Sequence, residues 1–433
     1  MELLEGTVRP YAWGSRTHIA ALLGEPVPSP HPEAELWLGA HHDAPSRLVE
    51  RTGGSTLLQA LAEDPDGTFG AGRAERWQGR FPFLLKVLAA DEPLSLQTHP
   101  SAEQAAAGFA REESTGVARS APERNYRDPL PKPEILCALE EFHALAGFRD
   151  ASVTVRLLRA LDVDCLAHHT ELLAAQPDPD GLRALFTTWI TLPQRTVDQL
   201  VPALLDACVR LAKTPGSPGA HGGEFERDVR TLLDLGERYP GDAGVLAALL
   251  LNRVVLAEGE CLFQPAGSPH AYLSGCGIEL MANSDNVLRA GLTPKHVDVP
   301  ELLRILDFRC GPPPAIQPRV EGPRAVFTAP SEHFRLVRLD VGPDDGPVDL
   351  GIDGPRIVLV VRGDAELRAG GGRTVALTRG RAVWAPAADG AVTVEAGPGR
   401  ALVFAAGDGW TADANSGGAD IGDGDIGSVG GAD

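Results

Sequence analysis

The stretch VVLAEGECLFQPAGSPH, residues 254–270, decides the fold, because strand-like sequence resumes there after a long helical segment. Glycine and proline separate its short apolar runs, as they separate the strands of β-rich domains. Similar runs precede the helical segment, in WLGA (residues 37–40), FPFLLKVL (81–88) and ILCAL (135–139). The pattern therefore predicts β-structure that is interrupted by helices, with later strands able to rejoin the earlier ones.

The sequence patterns before and after this stretch define the domain organisation. Ranges 153–161, 182–191, 197–213 and 225–239 show the apolar spacing of amphipathic helices. From about residue 315, runs such as RIVLVVR (356–362) lie between glycine turns, the pattern of an antiparallel barrel. We predict a mainly β chain with an α insertion. Its expected segments are 1–150 (first β part), 151–250 (helical insertion), 251–312 (second β part), 313–410 (a second barrel) and 411–433 (a Gly- and Asp-rich disordered tail).

The bulk composition limits the classes of partner. The chain has 433 residues and a formal net charge of −20, so nucleic acid and anionic membranes would be repelled. A local basic pocket could still hold an anionic small molecule. The six cysteines form no C-x-x-C pair, which fits a reduced compartment. The first residues, MELLEGT, lack a signal-peptide pattern, and the longest apolar run is too short to span a bilayer. We expect a cytoplasmic monomer.

Side chains with metal-binding chemistry stand at the ends of apolar runs. In LSLQTHPS (94–101), Gln97 and His99 share a face of the expected strand, although such a pair is also typical of a solvated rim. Glu134 opens an apolar run, and His270 follows a Gly-Ser-Pro turn. The four residues suit one divalent cation, zinc first, because a single carboxylate leaves the ion a good Lewis acid. The grouping rests on residue type, since no local spacing brings the four together.

Two further stretches add polar groups to this inventory. Lys132 lies between two prolines and two residues before Glu134, so it could share the face of that carboxylate or simply precede the strand. The run IELMANSDNVLRAGLTPKH (278–296) holds many polar residues in an apolar context. This pattern favours a wet cavity, and an exposed Asn/Asp turn is the alternative.

The sequence resembles the type I phosphomannose isomerase family, also called the mannose-6-phosphate isomerases. The resemblance extends from near the N-terminus to about residue 300, and the C-terminal barrel matches only in its β pattern. The matching elements are YAWG (11–14), AELWLGAH (34–41), APS (44–46), FLLKVL (83–88), LSLQTH (94–99), YRDP (126–129), KPEI (132–135), YPGDAG (239–244), LLLN (249–252), AGSPHAY (266–272) and the long run 278–295.

The resemblance implies a zinc-dependent cupin fold, with a catalytic jelly roll, a helical domain inserted into it and a second cupin-like barrel. It implies an aldose-ketose isomerase that interconverts mannose 6-phosphate and fructose 6-phosphate through a cis-enediol, in the carbohydrate metabolism that supplies GDP-mannose. The expected partner is thus a small sugar phosphate. By position, the single Zn²⁺ per chain falls on Gln97, His99, Glu134 and His270.

The resemblance also implies catalytic residues. Arg289 matches an active-site arginine that we expect to stabilise charge on the enediolate, with a structural salt bridge as the alternative. Lys132 matches a lysine that acts as base or as phosphate contact. Glu279 and Asp285 are acid/base candidates that could instead orient Arg289 and Lys295. The remaining expected contacts with phosphate or sugar are those of Ser95 and Lys295.

Other matched residues are expected to be structural. The ammonium of Lys86, in the middle of an apolar run, is expected to pair with a buried carboxylate. The side chains of Trp13 and Trp37 are expected to pack rather than to stack on sugar, with a place in a cavity wall as the alternative.

Two departures from the family pattern keep other functions open. Leu130 and Pro131 replace a usual Asn-His, whose histidine is a proposed helper in ring opening, and His42 replaces a usual proline. A non-catalytic or divergent cupin that binds a sugar phosphate is therefore one alternative. An Fe(II) cupin oxygenase is another, because two histidines and one carboxylate also suit that ion. Gln97 and the intact polar run weigh against the oxygenase.

Overall fold

The computed structural model describes residues 1–410 except positions 52, 71 and 314. Its strands are β1 (Glu2–Glu5), β2 (Thr7–Arg9), β3 (Glu35–Gly39), β4 (Arg47–Leu48), β5 (Phe83–Ala90), β6 (Leu96–Thr98), β7 (Glu134–Ala138), β8 (Phe142–Phe148), β9 (Leu251–Leu256), β10 (Cys261–Gln264), β11 (His270–Ala282), β12 (Leu288–Gly291), β13 (Ala315–Ile316), β14 (Arg319–Glu321), β15 (Arg324–Phe327), β16 (Arg335–Val341), β17 (Val348–Asp349), β18 (Arg356–Arg362), β19 (Asp364–Ala369), β20 (Thr374–Thr378), β21 (Ala382–Ala385), β22 (Val392–Ala396) and β23 (Ala401–Gly407). The expected disordered tail, 411–433, lies outside the described residues.

Helices lie between these strands. They are α1 (His18–Leu23), α2 (Leu57–Glu63), α3 (Pro65–Phe69), α4 (Arg73–Arg76), α5 (Ala102–Ser114), α6 (Ala151–Leu161), α7 (Ala167–Ala175), α8 (Pro179–Ile190), α9 (Gln194–Lys213), α10 (Glu226–Arg238), α11 (Gly244–Ala248) and α12 (Val299–Ile305), with 3₁₀ turns at Asp164–Leu166 and Ala387–Asp389. In the described part of the chain, none of these helices combines the length and the apolar character needed to cross a membrane.

The strands form three antiparallel sheets. The first follows the order β13-β10-β7-β11-β5-β3-β2, with β6, β8, β9 and β12 attached through β11. The second follows β14-β15-β16-β23-β18-β21-β1-β4, and the third follows β17-β22-β19-β20. The prediction of a mainly β chain with an α insertion is confirmed.

The helical insertion leaves and re-enters the first sheet at two neighbouring strands. β8 pairs with β9, so that Phe142 lies opposite Leu256, and α6 to α11 occupy the chain between the two strands. Because the two ends of the insertion lie on paired strands, the insertion adds little loop-closure entropy cost and leaves the β8–β9 hydrogen bonds intact. The side chain of Asp150 begins α6 by accepting a hydrogen bond from the N–H of Ser152 at 2.8 Å. The four predicted helical ranges are confirmed as α6, α8, α9 and α10.

Apolar packing joins the first sheet to the C-terminal β region. Buried Leu36 and Val87 of the first sheet belong to one apolar cluster with Phe327, Ile357 and Trp384 of the second sheet. Removing these side chains from water is the main force that holds the two sheets together.

The N-terminal strand lies in the second sheet rather than the first. β1 pairs with β21, where Leu3 lies opposite Val383, and with β4, where Leu4 lies opposite Leu48. The sequence division placed all residues from 1 to 150 in the first β unit, because a strand of four residues carries no signal for its distant partner. The domain boundaries themselves stay a prediction.

Candidate active site

One long strand and its neighbours bring the metal-ligand candidates together. β11 carries His270 at its first residue, and β6 lies beside it, so that Gln97 is directly opposite His270. The other edge of β6 pairs with β12, where Arg289 is also opposite Gln97. β7 flanks β11 further along and places Glu134 opposite Met281. Residues far apart in sequence thus converge because they occupy adjacent strands of one sheet.

Three ligand atoms face one another inside this arrangement. The Nε2 of His99 lies 3.3 Å from Oε1 of Glu134, and the Nε2 of His270 lies 3.5 Å from Oε2 of the same carboxylate. All three side chains are buried, and the ligand atoms of the three lie within 4.8 Å of one another. This spacing is compatible with three ligands of one cation.

The hydrogen bonds of the two imidazoles fix which nitrogen is free. The Nδ1 of His99 lies 2.8 Å from the carbonyl oxygen of Asn286, and the Nδ1 of His270 lies 3.1 Å from that of Ser268. Because a carbonyl can only accept, each Nδ1 carries the proton and each Nε2 presents a lone pair towards Glu134.

Buried polar atoms without a hydrogen-bond partner show whether a metal ion fits between His99, Glu134 and His270. Among the described residues, the Nε2 of His99, the Nε2 of His270 and the Oε2 of Glu134 are buried without a hydrogen-bond partner. Buried polar atoms are rarely left in this state, and a cation would satisfy all three. Burial also lowers the pKa of His99 to about 4, which keeps its imidazole neutral and able to bind a metal. The site therefore fits zinc.

The charge state of Glu134 also suits a cation ligand. The Nζ of Lys132 lies 3.1 Å from Oε1 of Glu134, and both residues are buried. Burial opposes ionisation of the carboxyl, but the charge of Lys132 outweighs it and holds the pKa of Glu134 well below its usual value. The lysine therefore lies at the metal-ligand end of the site.

A polar cavity of about 550 Å³ opens beside these ligands. Gln97, half-buried on β6, lines it together with Glu134 and Lys132. Its place as the fourth ligand stays a prediction. A cavity of this size is in the range that holds small-molecule ligands.

A buried ion network forms one wall of the cavity. The Nζ of Lys86 donates to Oε2 of Glu279 at 2.9 Å and to Oε1 of Glu35 at 3.3 Å, and Glu35 also accepts from the indole of Trp37 at 2.9 Å. The expectation that Lys86 pairs with a buried carboxylate is confirmed, and Trp37 is buried and also lines the cavity. Burial raises the pKa of Glu279, with Lys86 opposing. In this structure the partner of the Glu279 carboxylate is Lys86, and a role in orienting Arg289 or Lys295 stays a prediction.

Asp285 belongs to a second polar group at the cavity. The Nε2 of His41 lies 3.2 Å from its Oδ1, and the Nδ1 of His41 accepts a bond from the N–H of Asp43 at 3.2 Å. Because Nδ1 of His41 accepts, Nε2 is the nitrogen that donates to Asp285. Burial alone would raise the pKa of Asp285, but His41 outweighs it and lowers that pKa to about 2. In this structure the partner of Asp285 is His41, and a role in orienting Arg289 or Lys295 stays a prediction.

His41, His42 and Asp285 also satisfy the spacing of a metal-binding group. His42 is exposed, and the ring of His41 stacks on it at 4.6 Å. The lone pair of His41 at Nδ1 is used by a backbone N–H, and its Nε2 proton is used by Asp285. The geometry therefore favours a hydrogen-bonded pair over a cation site.

The other candidate residues also line the cavity. Ser95, Arg289 and Lys295 lie in its wall, as does Trp13. No carboxylate within the described ranges forms an ion pair with Arg289, so the structural salt bridge that was its alternative is not seen.

Three residues at the site had no assigned role in the sequence analysis. Glu35 and His41 lie in the stretch AELWLGAH, and Asn286 lies in the polar run. Their presence in stretches that match the family was a sign that they belong to the site. Glu35 and His41 act through partners more than 50 positions away, and Asn286 acts on His99 through its backbone carbonyl. Sequence spacing carries no information about such contacts.

Comparisons with known proteins agree with this geometry. A family model described as phosphomannose isomerase type I, catalytic domain, matches residues 1–151. The mannose-6-phosphate isomerase of Escherichia coli (strain K12) is 37% identical over 400 residues, which cover 91% of this chain and 97% of that protein. The mannose-6-phosphate isomerase of Homo sapiens is 31% identical over 390 residues, which cover 83% and 87% of the two chains.

Solved structures are similar over nearly the whole chain. A variant of phosphomannose isomerase from Salmonella typhimurium has a TM-score of 0.83 at 33% identity, with 94% of this chain and 99% of that chain covered. A zinc-bound mannose 6-phosphate isomerase has a TM-score of 0.82 at 33% identity, with 93% and 98% covered. The expected cupin fold is confirmed by this likeness.

Proposed function

Because the chain belongs to the type I phosphomannose isomerase family, we propose that His99, Glu134 and His270, with Gln97, hold the zinc ion of a mannose-6-phosphate isomerase. The enzyme interconverts mannose 6-phosphate and fructose 6-phosphate, and its cofactor is Zn²⁺. The observation that carries the residue assignment is the set of three buried, unpartnered ligand atoms at one end of a polar cavity. When bound there, zinc would supply a Lewis acid for the isomerisation.

The reaction moves one proton between C1 and C2 of the open-chain sugar. We assign this transfer to Glu279, whose carboxylate lines the cavity and whose pKa is raised by burial. A carboxyl with a raised pKa exchanges protons more readily near neutral pH than an ordinary one. Lys86 holds this carboxylate in place through a 2.9 Å hydrogen bond.

The enediolate that forms between the two proton transfers carries negative charge. Arg289 lies opposite Gln97 in the ladder and has no carboxylate partner within the described residues, so its guanidinium is free to stabilise that charge. Lys132, whose charge is paired with Glu134, lies at the same end of the cavity. These assignments follow from the placement of the charges.

Ring opening needs groups that exchange a proton with the sugar hydroxyls. Pro131 has no such group. Asp285, held ionised by His41, can accept a hydrogen bond from a hydroxyl and orient it. We assign Asp285 this positioning role rather than a role as base, because a carboxylate with a pKa of about 2 is a weak base.

Four finer assignments stay proposals. The chain is a monomer, it works in the cytoplasm, and it has no nucleic-acid partner. The last is supported by the net charge of −20, which repels polyanions. Ser95 contacts the sugar phosphate from the cavity wall.

A coupled assay with metal analysis tests the proposal. Mannose 6-phosphate should be converted to fructose 6-phosphate, the conversion should stop with EDTA, and added zinc should restore it. Tight binding of the sugar phosphate without turnover would instead favour the non-catalytic cupin. Oxygen consumption with bound iron would favour the oxygenase; neither alternative is favoured by the relatives.

A further inference from the structure

Three cations line the cavity without a partner. Arg127, Arg289 and Lys295 all lie in its wall. Across the described ranges, none of their side chains forms a hydrogen bond or an ion pair with another residue. A group of free positive charges is notable in a chain whose net charge is −20.

The remaining cations of the same wall are neutralised. Lys86 donates to Glu279 at 2.9 Å, and Arg124 lies 2.9 Å from Glu112. Lys132, the other lysine of the wall, is paired with Glu134 as described above. The three free cations are thus the only part of the described wall where positive charge is left uncompensated.

The three free cations are close enough to repel one another. Burial, and after it the charge of Arg127, lowers the pKa of Arg289. Burial, and after it the charges of Arg289 and Arg127, lowers the pKa of Lys295. A bound dianion would remove this repulsion, because it offers each cation an opposite charge at hydrogen-bond distance.

Arg127 is held in position through its backbone. The Oδ1 of Asn286 accepts hydrogen bonds from the N–H of Arg127 at 2.8 Å and from that of Asp128 at 3.3 Å. The Nδ2 of Asn286 donates to the carbonyl oxygens of Asp128 at 2.7 Å and of Leu130 at 2.8 Å. Asn286 is completely buried and precedes Arg289 by three residues.

The segment that carries Arg127 is therefore fixed against the segment that carries Arg289. The carboxylate of Asp128 adds two bonds to this attachment, from the hydroxyl of Ser284 and from the N–H of Asp285, each at 2.8 Å. A binding residue on such a fixed segment loses less conformational entropy when its ligand arrives.

We propose that Arg127 binds the phosphate of the substrate, and that it forms with Lys295 a clamp for a phosphate dianion. Arg289, opposite Gln97 in the ladder, lies where this clamp meets the metal-ligand end of the cavity. Arginine suits this place because its planar donors match two phosphate oxygens at once. The inference rests on the proposed function, and it adds a substrate-binding residue to that site.

The experiment compares Arg127→Gln with Arg127→Lys in the zinc-loaded enzyme. Arg119→Gln is the control, because Arg119 is an exposed arginine paired with Glu113 outside the cavity. The readouts are KM and kcat for mannose 6-phosphate, the inhibition constant of inorganic phosphate, and the binding of inorganic phosphate measured by calorimetry.

Arg127→Gln should raise KM and the phosphate inhibition constant by about 10- to 100-fold, the loss expected for hydrogen bonds to a charged group. Its kcat should change by less than about threefold, because the lost contact binds the phosphate equally in the substrate complex and in the transition state. Arg127→Lys should recover part of the effect, and Arg119→Gln should match the unaltered chain.

Two kinds of failure can be told apart. If the unaltered chain isomerises mannose 6-phosphate but Arg127→Gln leaves KM and phosphate affinity unchanged, the clamp is wrong and the proposed function stands. A fall in kcat at constant KM would also overturn it, by placing Arg127 at the reacting carbons. If the unaltered chain shows no turnover, the proposed function fails, and calorimetry with inorganic phosphate still decides whether Arg127 binds the anion.

Discussion

Replacing Lys86 by methionine should strongly destabilise the protein. The ammonium lies 2.9 Å from the carboxylate of Glu279 and 3.3 Å from that of Glu35, and the side chains of the three residues are each less than 10% exposed. Removing one partner of a buried ion pair costs about 3–5 kcal/mol, because the other charge is left unpaired. In this network two carboxylates lose their cation, although water in the cavity can solvate Glu279. We therefore expect a loss of about 3–5 kcal/mol at neutral pH.

The loss should depend on pH with a defined sign. Without Lys86, the pKa of Glu279 in the folded state rises further above its unfolded value. Such a raised carboxyl stabilises the fold below its unfolded pKa, and that stability is lost as pH rises through its folded pKa. Each unit of upward shift is worth about 1.4 kcal/mol. The difference in free energy of unfolding between the unaltered protein and Lys86→Met should thus be larger at pH 8 than at pH 5.

Urea denaturation at both pH values, at one fixed zinc concentration, measures this difference. The matched control is the double variant Lys86→Met with Glu279→Gln, which removes one of the two unpaired carboxylates and should recover part of the stability. A loss below about 1 kcal/mol that is equal at pH 5 and pH 8 would refute the reasoning, because it would mean that the buried charges do not depend on Lys86.

Three other predictions concern the cavity. Zinc content, measured by elemental analysis, should fall to background in His270→Ala, whereas Arg289→Ala should keep its zinc and lose about 10²- to 10³-fold in kcat; loss of metal from the arginine variant would contradict its assigned role. Asn286→Ala removes four buried hydrogen bonds to backbone groups and should lower the urea-derived free energy of unfolding by about 2–4 kcal/mol; a change within error would show that water replaces the amide. His41→Leu removes the donor that depresses the pKa of Asp285, so the acid limb of the kcat/KM profile should move to higher pH; an unmoved limb would mean that ionised Asp285 is not required.

Several features of this protein could be read from local sequence. The amphipathic spacing at 197–213 and 225–239 is a property of a single helix, and both helices form there as α9 and α10. The apolar run around Lys86 predicted a buried strand, and a lysine in such a run requires a carboxylate partner whatever the fold. The identity of that partner was not available from the run, because Glu279 and Glu35 reach Lys86 across two different strand pairs.

The metal-ligand set illustrates the same limit. The residue types of His99, Glu134 and His270 suited a cation, and the resemblance supplied the grouping that their spacing could not. The tautomers of the two imidazoles depend on the backbone carbonyl groups of Asn286 and Ser268. Every residue has such a carbonyl, so the sequence does not indicate which one a histidine contacts. Only the folded chain therefore shows which nitrogen of each ring is free for the metal.

The sequence by itself determined the order of β, helical and β segments and the chemical types present at the ends of the strands, because periodicity and residue type act within a few positions of the chain. The tertiary structure alone decided that β1 joins the distant second sheet, that Asp285 pairs with His41 and that Arg127 and Arg289 line the same cavity. Strand pairing and electrostatic contact depend on distance in space, and the fold sets that distance for residues hundreds of positions apart.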